Sequence, residues 1–77
     1  MSIKVRYFAS LKELVGHDRD DCEFVTGMTV LNVWHKLMPE KTIPANVLAA
    51  INMEYVSLES VLTDADELAF FPPVTGG

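Results

Sequence analysis

A single cysteine, Cys22, leaves this chain without the means to form an internal disulfide. That excludes the cross-linked scaffolds of small secreted domains and points to a reducing compartment, the cytoplasm. Long hydrophobic runs are missing too. The longest, "VLAAI" at residues 47–51, falls far short of the roughly 20 apolar residues a bilayer helix requires. The opening "MSIKVRYF" alternates charge with apolar character where a signal peptide would be continuous, so neither export nor a membrane is expected. Cations are scarce: six Lys and Arg face eleven Asp and Glu, a net charge of -5. That balance repels phosphate backbones and disfavours nucleic acid, whereas a protein of complementary charge fits. His17 and His35 lie far apart, with no Cys, His or carboxylate cluster at ligand spacing, and no metal is expected. Asp64, Asp66 and Glu67 lack the length and central glycine of a calcium loop and read as turn residues.

What is present suits one small domain. At 77 residues only about two thirds of the unfolded surface can be hidden, so the 49% hydrophobic content has to supply the core alone. Residues 3–8 alternate, with Ile3, Val5 and Tyr7 on one face and Lys4, Arg6 and Phe8 on the other, the period of a half-buried strand. "SLKELVG" reads as two short helical turns. Ser10 and Glu13 have capping-box spacing, Leu11, Leu14 and Val15 share a face, and Gly16 suits the left-handed closing position. Residues 17–21, "HDRDD", form a polar turn into a second strand, "CEFV", which Thr26 and Gly27 end. Thr29 is the expected N-cap of the main helix, whose apolar stripe is Val30, Val33, Trp34, Leu37 and Met38 and which Pro39 blocks. Beyond the loop "PEKTIPAN", residues 47–52 form a buried strand, "MEYVS" a hairpin return, "TDADE" a turn and "ELAFF" the last strand. The order gives an α+β fold, a mixed sheet on one main helix.

Parity in the last strand separates its aromatics. Leu68 and Phe70 join the core with Ile3, Val5 and Tyr7, leaving Phe71 on the outer face as Phe8 is in the first strand. Two outward aromatics on adjacent strands would form a partner-binding patch, to which Tyr55 adds if the hairpin register allows. Lys4, Arg6 and Lys12 would meet acids on that partner, each exposed pair contributing only about 0 to 1 kcal/mol. Trp34 belongs to the core, and Cys22, among Asp20, Asp21 and Glu23, is structural because negative neighbours oppose thiolate formation.

The end of the chain, "FFPPVTGG" at residues 70–77, is unlike an ordinary polar tail. Pro72 and Pro73 lack the N–H that a ladder needs, so pairing stops after Phe71 and the chain leaves in a stiff extended form. Residues 72–77 would reach on the order of 20 Å, at about 3.3 to 3.6 Å per residue. Gly76 and Gly77 have no Cβ and pass through a slot that excludes other residues. The carboxylate of Gly77 is then the group left to react, and it needs prior activation because oxide is a poor leaving group. The chain has no phosphate-binding glycine loop, so another protein must do the activating. A frayed terminus is the bland alternative, but an aromatic strand followed by a proline stiffener does not suit one.

The stretches "IKVRYFA", "KELVG", "LAAIN", "VS" and above all "LTDADELAFFPPVTGG" resemble the ubiquitin-like sulfur carriers, most closely the MoaD family of small molybdopterin synthase subunits. Ala65 departs from that pattern, standing where the turn often has Gly. The resemblance implies a β-grasp fold with first and last strands as parallel central neighbours, and a single domain over residues 1–77 with 72–77 as its tail. It implies that a ubiquitin-activating-enzyme-like adenylyltransferase adenylates Gly77, and that a sulfur-donating system converts the glycyl adenylate to a thiocarboxylate. These covalent states are the only cofactor chemistry expected, and none is bound. By the same resemblance the tail, Pro72, Pro73, Val74, Thr75, Gly76 and Gly77, enters the large synthase subunit within a heterotetramer. There it gives sulfur to cyclic pyranopterin monophosphate, forming the molybdopterin dithiolene; Phe8, Tyr55 and Phe71 would bind the partner. The chain would be a non-catalytic subunit. A thiazole-pathway carrier, which also ends in Gly-Gly but usually lacks "FFPPV", and a ubiquitin-like protein modifier are the alternatives.

Overall fold

Alternation in the first strand is realised as β1 (Ser2–Tyr7), whose Ile3, Val5 and Tyr7 are buried while Lys4 is exposed and Arg6 half-buried. The computed structural model describes residues 1–73, so the expectations for Val74, Thr75, Gly76 and Gly77 lie outside the described residues. After β1 come α1 (Ser10–Val15), β2 (Arg19–Glu23), α2 (Val30–Leu37), β3 (Leu48–Ile51), β4 (Glu54–Val56) and β5 (Glu67–Phe71). The five strands form one sheet in the order β2-β1-β5-β3-β4. β1 and β5 run parallel, with Val5 opposite Leu68 and Tyr7 opposite Phe70, while the other pairs are antiparallel. This is the β-grasp arrangement, and it puts first and last strands side by side as expected.

The main helix forms where its stripe predicts. Thr29 is its N-cap: the Thr29 hydroxyl accepts from the Asn32 N–H at 3.2 Å, and Asn32 Oδ1 accepts from the Thr29 N–H at 2.9 Å. At the other end the Met38 N–H still reaches the Trp34 carbonyl at 2.8 Å before Pro39 ends the ladder. Val30, Val33 and Trp34 are fully buried. The Trp34 ring meets Phe70 nearly perpendicularly at 5.2 Å, and its indole N–H donates to the Lys41 carbonyl at 2.9 Å. The polar end of the largest core side chain is thereby satisfied without water.

Two local readings change. The capping box from Ser10 to Glu13 does not form: Ala9 takes the N-cap position at φ 52°, no side chain caps it, and Ser10 is already helical. The chain turns out of β1 so sharply that the Phe8 and Ala9 carbonyls accept from the N–H groups of Leu11 and Lys12, the former at 3.1 Å and the latter at 3.0 Å. Those first helical donors are satisfied by backbone. Gly16 does close the helix, at φ 97°, with its N–H on the Lys12 carbonyl. The second strand begins at Arg19, inside the supposed turn, and stops at Glu23 before Phe24 and Val25. As an edge strand it is specified by its ladder to β1, Ser2 to Glu23 through Arg6 to Arg19, rather than by apolar residues; only Cys22 in it is buried.

Candidate functional site

Alternate residues of the same strands build the sheet's other face. Phe8 follows β1, with its N–H on the Phe70 carbonyl at 3.2 Å, and its ring lies parallel to that of Phe71, centroids 4.8 Å apart and planes 4° off parallel. Tyr55 comes from the neighbouring hairpin. In register it faces Ala50, which faces Ala69 in β5, and its ring meets Phe71 edge-on at 5.9 Å. The hairpin register thus settles the facing of Tyr55 toward the aromatic pair. Phe8, Tyr55 and Phe71 form one patch, in which Phe8 is 36% and Tyr55 71% exposed.

The patch encloses a groove of about 300 Å³. Ala50 and Ala69 keep its base low because their side chains are small, and Arg6, Met53 and Glu67 complete the lining. The Arg6 guanidinium carbon lies 5.5 Å from the centre of the Phe8 ring, within cation–π range. β5 ends at Phe71, and neither Pro72, half-buried, nor Pro73, exposed, takes part in the ladder. The strand that supplies Phe71 to the groove is therefore the strand that leads into residues 74–77. Sequence reasoning placed Arg6 on this face but gave it no place in a groove; the alternation that located Phe8 and Phe71 carried that signal, for Ala69 as well. Met53 had none, because its position depends on the hairpin turn.

Other reactive groups are quiet. Burial, foremost, raises the Cys22 thiol pKa, with Glu23 and Asp20 adding to the rise and Lys36 opposing it. Burial, more than charge, makes this thiol a poor nucleophile. The Tyr7 hydroxyl donates to Asp20 Oδ2 at 2.9 Å, the same oxygen that His17 Nε2 approaches at 2.7 Å. Burial first, then the bond and charge of Asp20, push the Tyr7 phenol well above its ordinary value. Asp66 works as a turn residue: burial alone would raise its pKa, but hydrogen bonds from the Thr63 backbone and the Asn52 side chain hold it below the usual carboxylate value. Among the described residues, no three His, Cys or carboxylates converge for a metal, and no helix is long and apolar enough to cross a membrane.

Residues 5–77 match the ThiS family. The molybdopterin synthase sulfur carrier subunit of Escherichia coli K12 is 42% identical over 81 residues, covering 97% of this chain and 99% of that protein. Its counterpart of the same description in Haemophilus influenzae is 39% identical over 84 residues, covering 97% and 99% respectively. Among solved structures, the small archaeal modifier protein 1 of Methanosarcina acetivorans superposes with a TM-score of 0.73 at 26% identity, covering 99% of this chain and 96% of that one.

Proposed function

The chain belongs to the ThiS family of ubiquitin-like sulfur carriers, and we propose that it serves as the sulfur carrier subunit of a molybdopterin synthase, docking on the large subunit through the Phe8–Tyr55–Phe71 face. One observation carries this reading. The exposed aromatic groove is built on the strand that runs into "PPVTGG", so a partner gripping the groove is brought to the carboxyl end of the same strand. Residues 1–77 act as one domain, with 72–77 as the thread that delivers Gly77 and the cytoplasm as its site of action. The Gly77 carboxylate attacks the α-phosphate of ATP on an adenylyltransferase, releasing pyrophosphate. Sulfur delivered at the sulfide level by the sulfur-donating system then attacks the acyl carbon and displaces AMP, leaving a thiocarboxylate.

The thiocarboxylate is a good sulfur nucleophile, and a closed channel in the large subunit would position it against cyclic pyranopterin monophosphate. The sulfur attacks a pterin carbon as an oxygen substituent leaves that carbon, and hydrolysis of the resulting acyl carbon–sulfur bond leaves sulfur on the pterin and returns the Gly77 carboxylate. Catalytic groups come from the partner. The test is intact-mass analysis of the full chain after incubation with the activating enzyme, ATP and a sulfur source. One carboxyl oxygen exchanged for sulfur is expected, and an unchanged mass where a control carrier is converted would overturn the proposal. The likeness to an archaeal modifier protein favours a second reading, attachment to lysines. Its sign is higher-mass conjugates in cells that disappear when Gly77 is deleted.

A further inference from the structure

Arg6 is the residue on the outer face that the free chain does not explain. In the antiparallel register it stands opposite Arg19, and like charges in that relation repel. Arg19 has a carboxylate, Asp18 Oδ1, 3.7 Å away, but Arg6 forms no ion pair among the described residues. Its Nε is buried without a hydrogen-bond partner among the described residues, an arrangement that native proteins rarely leave unexplained. One rung back along the strands, Glu67 stands in register with Lys4 and lines the groove with Arg6, yet forms an ion pair with neither. Asp20, Asp21 and Glu67 line the surface near Arg6, but among the described residues none of them pairs with it. An apolar residue at position 6 would extend the Phe8–Phe71 patch and remove both the orphan donor and the repulsion from Arg19.

We infer that Arg6 is the specificity-determining residue of the outer face: it reads a carboxylate side chain on the protein that docks there, beside the apolar group that fills the groove. The guanidinium is held ready, resting over the Phe8 ring, where its planar fork can turn its outer N–H groups toward an incoming acid. The occupant is a single protein carboxylate rather than a phosphate, because a net charge of -5 and Glu67 in the lining repel polyanions, while Phe8, Ala69 and Phe71 give the rest of the groove an apolar wall. Closure of the apolar rim over the pair would shield it from water and strengthen it, which an exposed surface pair does not achieve.

This inference rests on the proposed docking of the large synthase subunit, and the experiment separates the two. Affinity of the full chain for its cognate large subunit is measured by calorimetry at low and at high salt for the native protein and for Arg6→Leu, Arg6→Lys and Phe71→Ala. Arg6→Leu keeps apolar cover over the groove, so lost packing does not account for its effect. It should weaken binding at low salt about tenfold or more, flatten the salt dependence, and leave the melting temperature unchanged or higher. Arg6→Lys should fall between the two, because it keeps the charge and loses the fork. If Arg6→Leu binds like the native protein while Phe71→Ala is weakened, Arg6 reads nothing and the docking face stands. If neither substitution weakens binding, the face itself is wrongly placed and both ideas fall.

Discussion

Tyr7 and Phe70 stack at 6.0 Å on one face of the central strand pair; one residue further along, Phe8 and Phe71 stack at 4.8 Å on the other. The two pairs share strands, register and chemistry. They differ in what lies above them. Trp34 of α2 closes over the first pair, at 6.5 Å from Tyr7 and 5.2 Å from Phe70, and both residues are buried. No helix of the described chain covers the second, which opens on the groove. An aromatic pair is thus core or open surface according to the third element that meets it, and on the outer face the described chain supplies none, which is the place the proposed partner would take.

The largest effect that tests this contrast is on folding. Phe70→Ala should destabilise by about 3 to 5 kcal/mol, as removal of a fully buried aromatic does, a large share of what a domain of this size has to spare. Phe71→Ala, measured in the same urea titration, should lose less than about 1 kcal/mol. Equal losses would mean that both faces are core. The roles reverse in binding, where Phe71→Ala should cost about 2 kcal/mol of affinity for the large subunit, the size expected of an aromatic anchor.

The inner face also carries a hydrogen-bonded phenol at its edge. Tyr7→Phe removes the hydrogen bond to Asp20 and should cost about 1 kcal/mol near neutral pH. The pH dependence has a definite sign. Because the folded protein raises the phenol above its unfolded value of about 10, Tyr7 supports the native state below that value. Its contribution is lost as alkali deprotonates the unfolded chain first. Thermal melts between neutral and strongly alkaline pH should show that loss in the native protein, and a shallower one in Tyr7→Phe.

How much of this was legible follows from how each feature is encoded. Period-2 alternation fixed the facing of Ile3, Val5, Tyr7 and Phe8, and of Leu68, Phe70 and Phe71, since side chains on a strand have only two directions. The helical stripe and Thr29 located α2 for the same kind of reason. That Phe8 and Phe71 touch was not in any local pattern; it depends on a parallel pairing between the ends of the chain, which only the family resemblance supplied. β2 was misplaced because an edge strand is chosen by backbone ladder bonds, and its Arg19, Asp20 and Asp21 look like a turn. The groove needed the β3–β4 register, which depends on a two-residue turn at Asn52 and Met53.

That turn yields the smallest and most discriminating prediction. Asn52 and Met53 both take positive φ, 50° and 73°, the mirror-image hairpin turn for which Asn-Gly is the preferred pair. Asn tolerates the left-handed region; a long unbranched Met does so at a cost of roughly 1 kcal/mol or more. Met53 is nevertheless 93% exposed at the groove, next to Tyr55. Met53→Gly should therefore raise stability by up to about 1 kcal/mol, read as a melting temperature several degrees higher, while weakening large-subunit binding by a fraction of a kcal/mol as apolar contact is lost. Ala65→Gly is the control. Ala65 sits at φ 72° in the turn before β5 but does not line the groove, so glycine there should stabilise by a similar amount and leave binding unchanged. Opposite signs for Met53 and a single sign for Ala65 would mean that strain at the first turn is kept for docking. If Met53→Gly raised stability with no loss of binding, the outer face would end at Tyr55.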